Sequence, residues 1–164
     1  MTGAEPSHWS DLARETPDLA RAVRRRLEAS RHHVLATLRA DGSPRVSGTE
    51  VQFHGDDLVA GMMSGSVKSR DLSRDGRFAL HANPGEGDMA DGDAKISGTA
   101  VRITDPAELA SYVADLGEGP PPSDMVVFRL LLADAVLTSI HPDGDRLVIE
   151  TWRPGRPLLV VERR

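Results

Sequence analysis

Residues 59–81 read VAGMMSGSVKSRDLSRDGRFALH and carry the most specific pattern of this chain. An apolar run stops at Gly61, a turn of small residues follows at 64–66, and a polar stretch then opens with Lys68. A second apolar run, 78–80, closes the unit, so the pattern predicts strand, turn, helix and strand. Small residues and a cation at a helix start favour an anion site, because free backbone N–H groups point outward there.

The same stretch also fits an ordinary strand–helix–strand connection whose charges face water. Neither a Walker sequence nor a GxGxxG spacing is present, and Gly-Ser turns are common. The local residues alone therefore leave an anion site and a plain connection equally open.

Length and composition predict one globular domain. A chain of 164 residues is long enough for its own hydrophobic core. We assign residues 1–15 to an N-terminal extension and residues 16–164 to a single domain. The sequence contains no run long enough to span a bilayer, and its first ten residues have no apolar signal-peptide core, so we expect a cytoplasmic protein without a membrane partner.

Several classes of chemistry are excluded or disfavoured by composition. Cysteine is absent, which rules out disulfides, thiolate metal sites and cysteine nucleophiles. The net charge of −5 argues against nucleic-acid binding, which needs a basic face to neutralise phosphates. Histidines never fall at a metal-ligand spacing, and we expect the acidic segment 87–93 to be a solvated loop rather than a calcium site.

Turn signals and alternating segments predict a mainly β (α+β) fold. Thr16 and Pro17 begin a helix in which Leu19, Val23 and Leu27 form one apolar stripe. Short strand-like segments separated by Gly, Asp and Pro turns follow, among them 33–39, 45–54, 95–104, 125–141 and 146–153. We expect a six-stranded antiparallel barrel with a few short flanking helices.

The sequence Ser-Gly-Thr recurs inside two predicted strands, at Ser47-Gly48-Thr49 and at 97–99. A glycine within a strand marks a bulge or a close approach to the backbone. A barrel corner and a ligand contact are equally compatible with this repeat. The neighbouring Glu50 is the one acid in its segment, and it either pairs with an arginine or faces a ligand.

Four segments, taken in order, resemble the pyridoxamine 5'-phosphate oxidase-like, flavin-reductase split β-barrel superfamily. They are VLATLRADGSPRVSGTEVQF, LVAGMMSGSVKSRDLSRDGRFALH, KISGTAVRI and IETWRPGRP, and together they span about residues 30–155. The resemblance implies a split barrel that forms a homodimer, with two sites for FMN, or for the deazaflavin F420, at the interface.

The resemblance also implies which residues contact the cofactor. The residues matching the family's phosphate-binding unit are Gly61, Met62, Ser66, Val67 and Lys68, and Met63 is a further candidate for contact with the cofactor. Ser47, Gly48 and Thr49 match the segment that lies along the flavin ring, and Trp152 matches an aromatic position that reaches toward a site. Core packing is the alternative role for the two methionines, because methionine fills gaps readily.

Two departures from the family bear on the reaction. Val67 stands where pyridoxamine oxidases place an arginine before the phosphate-binding lysine, and Ser47 stands at another arginine position. Arg45, Arg70 or Arg74 could replace these cations.

We therefore expect an oxidoreductase that passes hydride between FMN or F420 and a small organic molecule, rather than the vitamin B6 reaction. We name no catalytic side chain and no metal ligand, since the cofactor would supply the chemistry. The alternative is a carrier or sensor that binds a flavin or a haem without turnover.

Overall fold

The computed structural model describes residues 7–84, 89, 91–117 and 123–164. Its helices are α1 (Trp9–Glu15), α2 (Pro17–Glu28), α3 (Val67–Arg74) and α4 (Pro106–Leu116). Its strands are β1 (His33–Leu38), β2 (Pro44–Thr49), β3 (Gln52–His54), β4 (Asp57–Met63), β5 (Arg77–His81), β6 (Asp93–Arg102), β7 (Met125–Ile140), β8 (Leu147–Trp152) and β9 (Leu159–Arg163).

The strands form one antiparallel sheet that does not close on itself. The order across the sheet is β2-β1-β5-β6-β7-β4-β3, and β8 and β9 extend from the second half of β7. The two ends of this order, β2 and β3, are joined directly through Glu50 and Val51. We call the open gap between β2 and β4 the seam. The mainly β, split-barrel fold class is confirmed.

The number and bounds of the strands differ from the prediction. The described residues contain nine strands rather than six, and the segment expected as one strand at 45–54 is divided into β2 and β3. The division is required because β2 pairs with β1 whereas β3 pairs with β4. The chain must therefore leave one edge of the sheet and cross to the other. The last strand, β9, was not expected.

Helices α1 and α2 cover the inner face of the sheet. α2 begins at Pro17 as predicted, and its stripe of Leu19, Val23 and Leu27 is buried. In α1, Trp9 and Leu12 belong to the same core cluster. Described residues 7–15 of the proposed extension thus pack into the domain, and residues 1–6 lie outside the described part. The acidic segment 87–93 is only partly described, since residues 87, 88 and 90 are among those left out.

The two Ser-Gly-Thr segments prove to have different structural reasons for their glycines. At Gly98 the β6–β7 register shifts, and a side chain would collide with the carbonyl oxygen of Leu131. Gly48, in contrast, has nothing within 4 Å of a Cβ placed on it. Gly98 therefore permits a bulge, whereas Gly48 leaves open space. Within the described residues, no helix has the length and apolar character needed to cross a membrane.

Candidate functional site

The seam contains a cleft of about 550 Å³. One wall is the end of β2 and the crossover after it, the other wall is the end of β4, and the N-terminus of α3 lies beside them. The residues lining the cleft are His32, Gly48, Thr49, Glu50, Gly61, Met62, Met63, Ser66, Lys68 and Met125. The cleft therefore exists because the barrel is not closed by strand pairing at this point.

Ser66 begins α3 as its N-cap residue. Its backbone is extended, and its Oγ accepts a hydrogen bond from the backbone N–H of Ser69 at 3.2 Å. This bond satisfies one of the amide donors that a helix start leaves without an intrahelical partner. The helix dipole places partial positive charge at the same end, which faces the cleft. The local sequence thus builds the anion-favouring helix terminus that it predicts.

Lys68 crosses the seam. Its Nζ donates a hydrogen bond to the carbonyl oxygen of Gly48 at 2.5 Å. Burial lowers the pKa of the Lys68 ammonium, and the negative charge of Glu50 acts in the opposite direction. Lys68 is the only lysine or arginine among the cleft-lining residues that the structure describes. It is therefore the side chain available to pair with an anion there.

Three methionines make the apolar part of the cleft. Met62 is buried and belongs to the core cluster as well, so its core-packing and cleft-lining roles hold together. Met63 is 61% exposed and lies opposite Met125 in the β4–β7 register. These side chains offer a deformable apolar surface of the kind that methionine provides in binding sites.

Gly61 lies in front of the buried side chain of Tyr112, which comes from α4. A Cβ added at Gly61 would approach the Tyr112 hydroxyl to 2.6 Å. Burial, and secondarily the charge of Glu50, raises the pKa of Tyr112, so the phenol stays protonated at neutral pH. A glycine is needed at position 61 because the phenol occupies the space that a side chain would take.

A buried charge cluster fixes α3 against the first two strands. The carboxylate of Asp71 accepts hydrogen bonds from Thr37 Oγ1 at 2.8 Å, Arg45 Nε at 2.7 Å and Arg74 at 3.1 Å. Burial alone would raise the pKa of Asp71, but these donors hold it below its ordinary value. Arg45 and Arg74 are thus bound to Asp71 and do not line the cleft. Arg70 is exposed on α3 and does not line it either.

Most of the predicted cofactor-contacting residues converge on the cleft. Those that line it are Gly48, Thr49, Gly61, Met62, Met63, Ser66 and Lys68. Ser47 and Val67 are adjacent in sequence to lining residues but are not among them.

Trp152 requires a correction. Its side chain is completely buried in the core, and its Nε1 donates a hydrogen bond to Glu15 Oε2 at 2.8 Å. The indole is therefore enclosed by the chain's own residues and does not line the cleft. Its place at the end of β8, opposite Ala135, turns it toward the core rather than toward a ligand.

His32, Glu50 and Met125 line the cleft but were not among the predicted cofactor contacts. His32 directly precedes β1, and pairing of His33 with Thr49 brings it beside the crossover. Met125 reaches the cleft through its pairing with Met63. Of these three residues, only Glu50 could be singled out from the sequence, because it is the one acid of its segment. The other two depend on strand pairing between distant segments.

The family profile described as Pyridoxamine 5'-phosphate oxidase matches residues 19–139, which is well over half of the chain. The chain belongs to the pyridoxamine 5'-phosphate oxidase family. The matched range includes every residue that lines the cleft. No curated protein matches the sequence significantly.

Solved structures with this fold include proteins that are named for different cofactors. A pyridoxamine 5'-phosphate oxidase-related, FMN-binding protein of Nostoc punctiforme aligns with a TM-score of 0.63, 10% identity and coverage of 91% of this chain and 96% of that one. A heme-binding protein of Mycobacterium smegmatis aligns with a TM-score of 0.61 and 21% identity, over 88% of this chain and 58% of that one. An F420 reductase aligns with a TM-score of 0.50 and 19% identity, over 63% of this chain and 87% of that one. At these identities the likeness establishes the oxidase-family fold.

Proposed function

We propose that this chain is a cytoplasmic flavin-type oxidoreductase that binds FMN, or alternatively F420, in the seam cleft and passes hydride to or from a small organic molecule. The observation that carries the proposal is the capped N-terminus of α3 together with Lys68, both facing a cleft with an apolar wall. An anionic tail and a flat ring are the two parts of such a cofactor, and the two parts of the cleft match them.

The residues at the cleft fit the group. Gly48 has open space where a side chain would stand, so a planar ring can approach its backbone, whereas at Gly61 that space is filled by the Tyr112 hydroxyl. Met63 and Met125 supply apolar contacts, and Lys68 with Ser66 supplies the anion contacts. When bound, the cofactor supplies the hydride chemistry. The chain's own residues bind it, orient it and shield it from water.

FMN is our first choice and F420 the alternative, because both combine an anionic tail with a planar redox ring. The family and an FMN-binding relative of the same fold support FMN, whereas the F420 reductase shows that the fold also serves the deazaflavin. The absence of an arginine at position 67 leaves Lys68 as the cationic anchor. The specific vitamin B6 reaction is therefore not what we propose.

A homodimer is part of the proposal, and the bare outer face of the sheet supports it. Directly paired residues of an antiparallel sheet point to the same side, and one such row crosses the outer face. It runs through Gly48, Val34, His81, Lys95, Val136, Thr151 and Leu159. Val46 on this face is 71% exposed, and Leu159 is 53% exposed. The face begins at the cleft, so a second copy packed on it would lie beside the cofactor.

Identification of the native cofactor tests the proposal. We expect mass spectrometry of freshly purified protein to find FMN or F420, and the stripped protein to bind the same compound stoichiometrically. Absorbance distinguishes a flavin from a deazaflavin and from a haem. Stripped protein that binds neither FMN nor F420 at micromolar concentrations would refute the function.

Binding of haem without turnover is the second candidate. It is favoured by His32, an exposed imidazole beside the methionines of the cleft, since histidine and methionine are both axial haem ligands. The fold is shared with a heme-binding protein. A Soret band that disappears in His32→Ala would support haem, whereas haem binding unaffected by that change would remove the observation that favours it.

A further inference from the structure

Glu50 is the only carboxylate among the described residues that line the cleft. Its Oε2 lies 3.0 Å from Arg31 Nε, and its Oε1 lies 3.6 Å from His32 Nδ1, which is beyond hydrogen-bond distance. The carboxylate is thus engaged by Arg31 through Oε2, on an ion pair whose two side chains are both largely exposed. A carboxylate with two oxygens has about four acceptor positions, so Glu50 retains acceptor capacity that faces the cleft.

Glu50 and Lys68 give the cleft two charges of opposite sign without joining in an ion pair. Lys68 is held by the Gly48 carbonyl, and Glu50 follows two residues later, where the chain leaves β2. The charge of Glu50 also reaches Lys68 and Tyr112 through space. A ligand that fills the cleft therefore meets a cation and helix terminus on one side and a carboxylate with remaining acceptor positions on the other.

We propose that Glu50 is a specificity-determining residue that accepts a hydrogen bond from a ring N–H of the ligand whose anionic tail is held by Lys68. This inference rests on the proposed function and deepens it. It assigns the ligand to the heteroaromatic compounds that carry an imide or lactam N–H, as flavin-type rings do. Haem has no free ring N–H when metallated, and its two carboxylates would meet a like charge at Glu50.

The Glu50 side chain contributes little to the stability of the fold. The side chains of Arg31 and Glu50 are 72% and 47% exposed, and ion pairs with such exposure contribute little to stability. Replacing the carboxylate by an amide of the same shape should therefore preserve the fold. An effect of Glu50→Gln on ligand binding then reports on the ligand contact.

Three probes separate the two sides of the cleft: FMN, riboflavin and inorganic phosphate. Titrations of the stripped full-length protein would compare the wild type with Glu50→Gln and Lys68→Gln. Glu28→Gln is the matched control, because it removes a similarly exposed acid outside the cleft. We expect Glu50→Gln to weaken FMN and riboflavin binding by about tenfold each, the range of a charge-assisted hydrogen bond, and not to weaken phosphate binding.

Lys68→Gln should show the opposite selectivity, with weaker FMN and phosphate binding and little change for riboflavin. Unaltered riboflavin and FMN affinities in Glu50→Gln would overturn the assignment of Glu50, even when Lys68→Gln behaves as expected. Equal losses for all three probes in Glu50→Gln would also overturn it, because a general disturbance of the cleft would then explain the result. A wild type that binds none of these probes and no F420 would instead refute the proposed function.

Discussion

Lys68 Nζ donates to the carbonyl oxygen of Gly48 at 2.5 Å and so joins α3 to β2 across the open seam of the barrel. β2 is an edge strand, with β1 on one side and the cleft on the other. The lysine thus holds the strand edge while its charge faces the space that a ligand would occupy. A bound anion has to compete with a single neutral carbonyl for this ammonium.

Replacing Lys68 by alanine is expected to weaken cofactor binding at least tenfold, because one charge-assisted contact of about 1.5–3 kcal/mol is lost. Fluorescence titration with FMN measures the change, and circular dichroism checks that the fold is intact. Lys95→Ala is the matched control, since it removes the only other lysine, which is paired with Asp93 away from the cleft. Equal FMN affinity of Lys68→Ala and wild type would show that the anchor is wrongly assigned.

Gly61→Ala is expected to weaken both stability and cofactor binding, because the new methyl would meet the Tyr112 hydroxyl at 2.6 Å. Overpacking of this kind costs about 1–3 kcal/mol. In a Tyr112→Phe background the nearest contacts become Met125 Sδ at 3.4 Å and the ring carbon of residue 112 at 3.5 Å, so the alanine should be tolerated. A thermal-melt double-mutant cycle measures the rescue. Purely additive effects would contradict the proposed clash.

Asp71→Asn is expected to lower the free energy of unfolding by about 3 kcal/mol near neutral pH, because it leaves Arg45 without its buried partner. Asp71 has a pKa held below its ordinary value in the folded state, so its contribution is fully present above the ordinary aspartate pKa. That contribution is lost as the pH falls through the lower, folded-state pKa. The difference between wild type and Asp71→Asn in urea unfolding should therefore shrink in acid. A difference that stays constant down to pH 2 would contradict the linkage.

Leu12→Ala is expected to destabilise the protein by about 3 kcal/mol, because Leu12 is completely buried in the main core. Chemical denaturation measures this change. Arg14→Ala on the same helix is the control, since its side chain is 69% exposed and should change stability little. Equal stability of Leu12→Ala and wild type would mean that α1 is a detachable extension after all.

Val46→Asp is expected to weaken self-association at least tenfold, because it would bury a charge on the exposed apolar face that borders the cleft. Light scattering at micromolar concentration measures the mass, for which we predict a dimer in the wild type. Ala110→Asp, an exposed change on α4, serves as control. A monomeric wild type would count against a cofactor site at a dimer interface.

Local patterns predicted the elements whose causes are local. Pro17 and the stripe Leu19, Val23 and Leu27 specify α2, since a fixed spacing places them on one face. Ser66 specifies the start of α3, because its side chain caps the helix that follows it. The candidate site was predictable to the extent that its residues lie on this strand, turn and helix.

Interactions between distant segments could not be predicted in the same way. Trp152 carries no local sign that it will be buried against Glu15, and His32 none that it will line the cleft. The break of the strand at Glu50 and Val51 is visible only once β2 and β3 have different partners. The resemblance to relatives placed an aromatic residue near the ligand, but packing of this chain turned it inward.

The amino-acid sequence by itself determined a series of short strands with few helices, a capped helix after β4 and a cation at the second residue of that helix. Each of these follows from residues close together in the chain. Only the tertiary structure decided that Gly48 and Lys68 face each other, that Tyr112 occupies the space beside Gly61 and that Glu50 lines the cleft. The physical reason is that sheet pairing joins segments far apart in sequence, and the side chains that meet across the seam are set by that pairing.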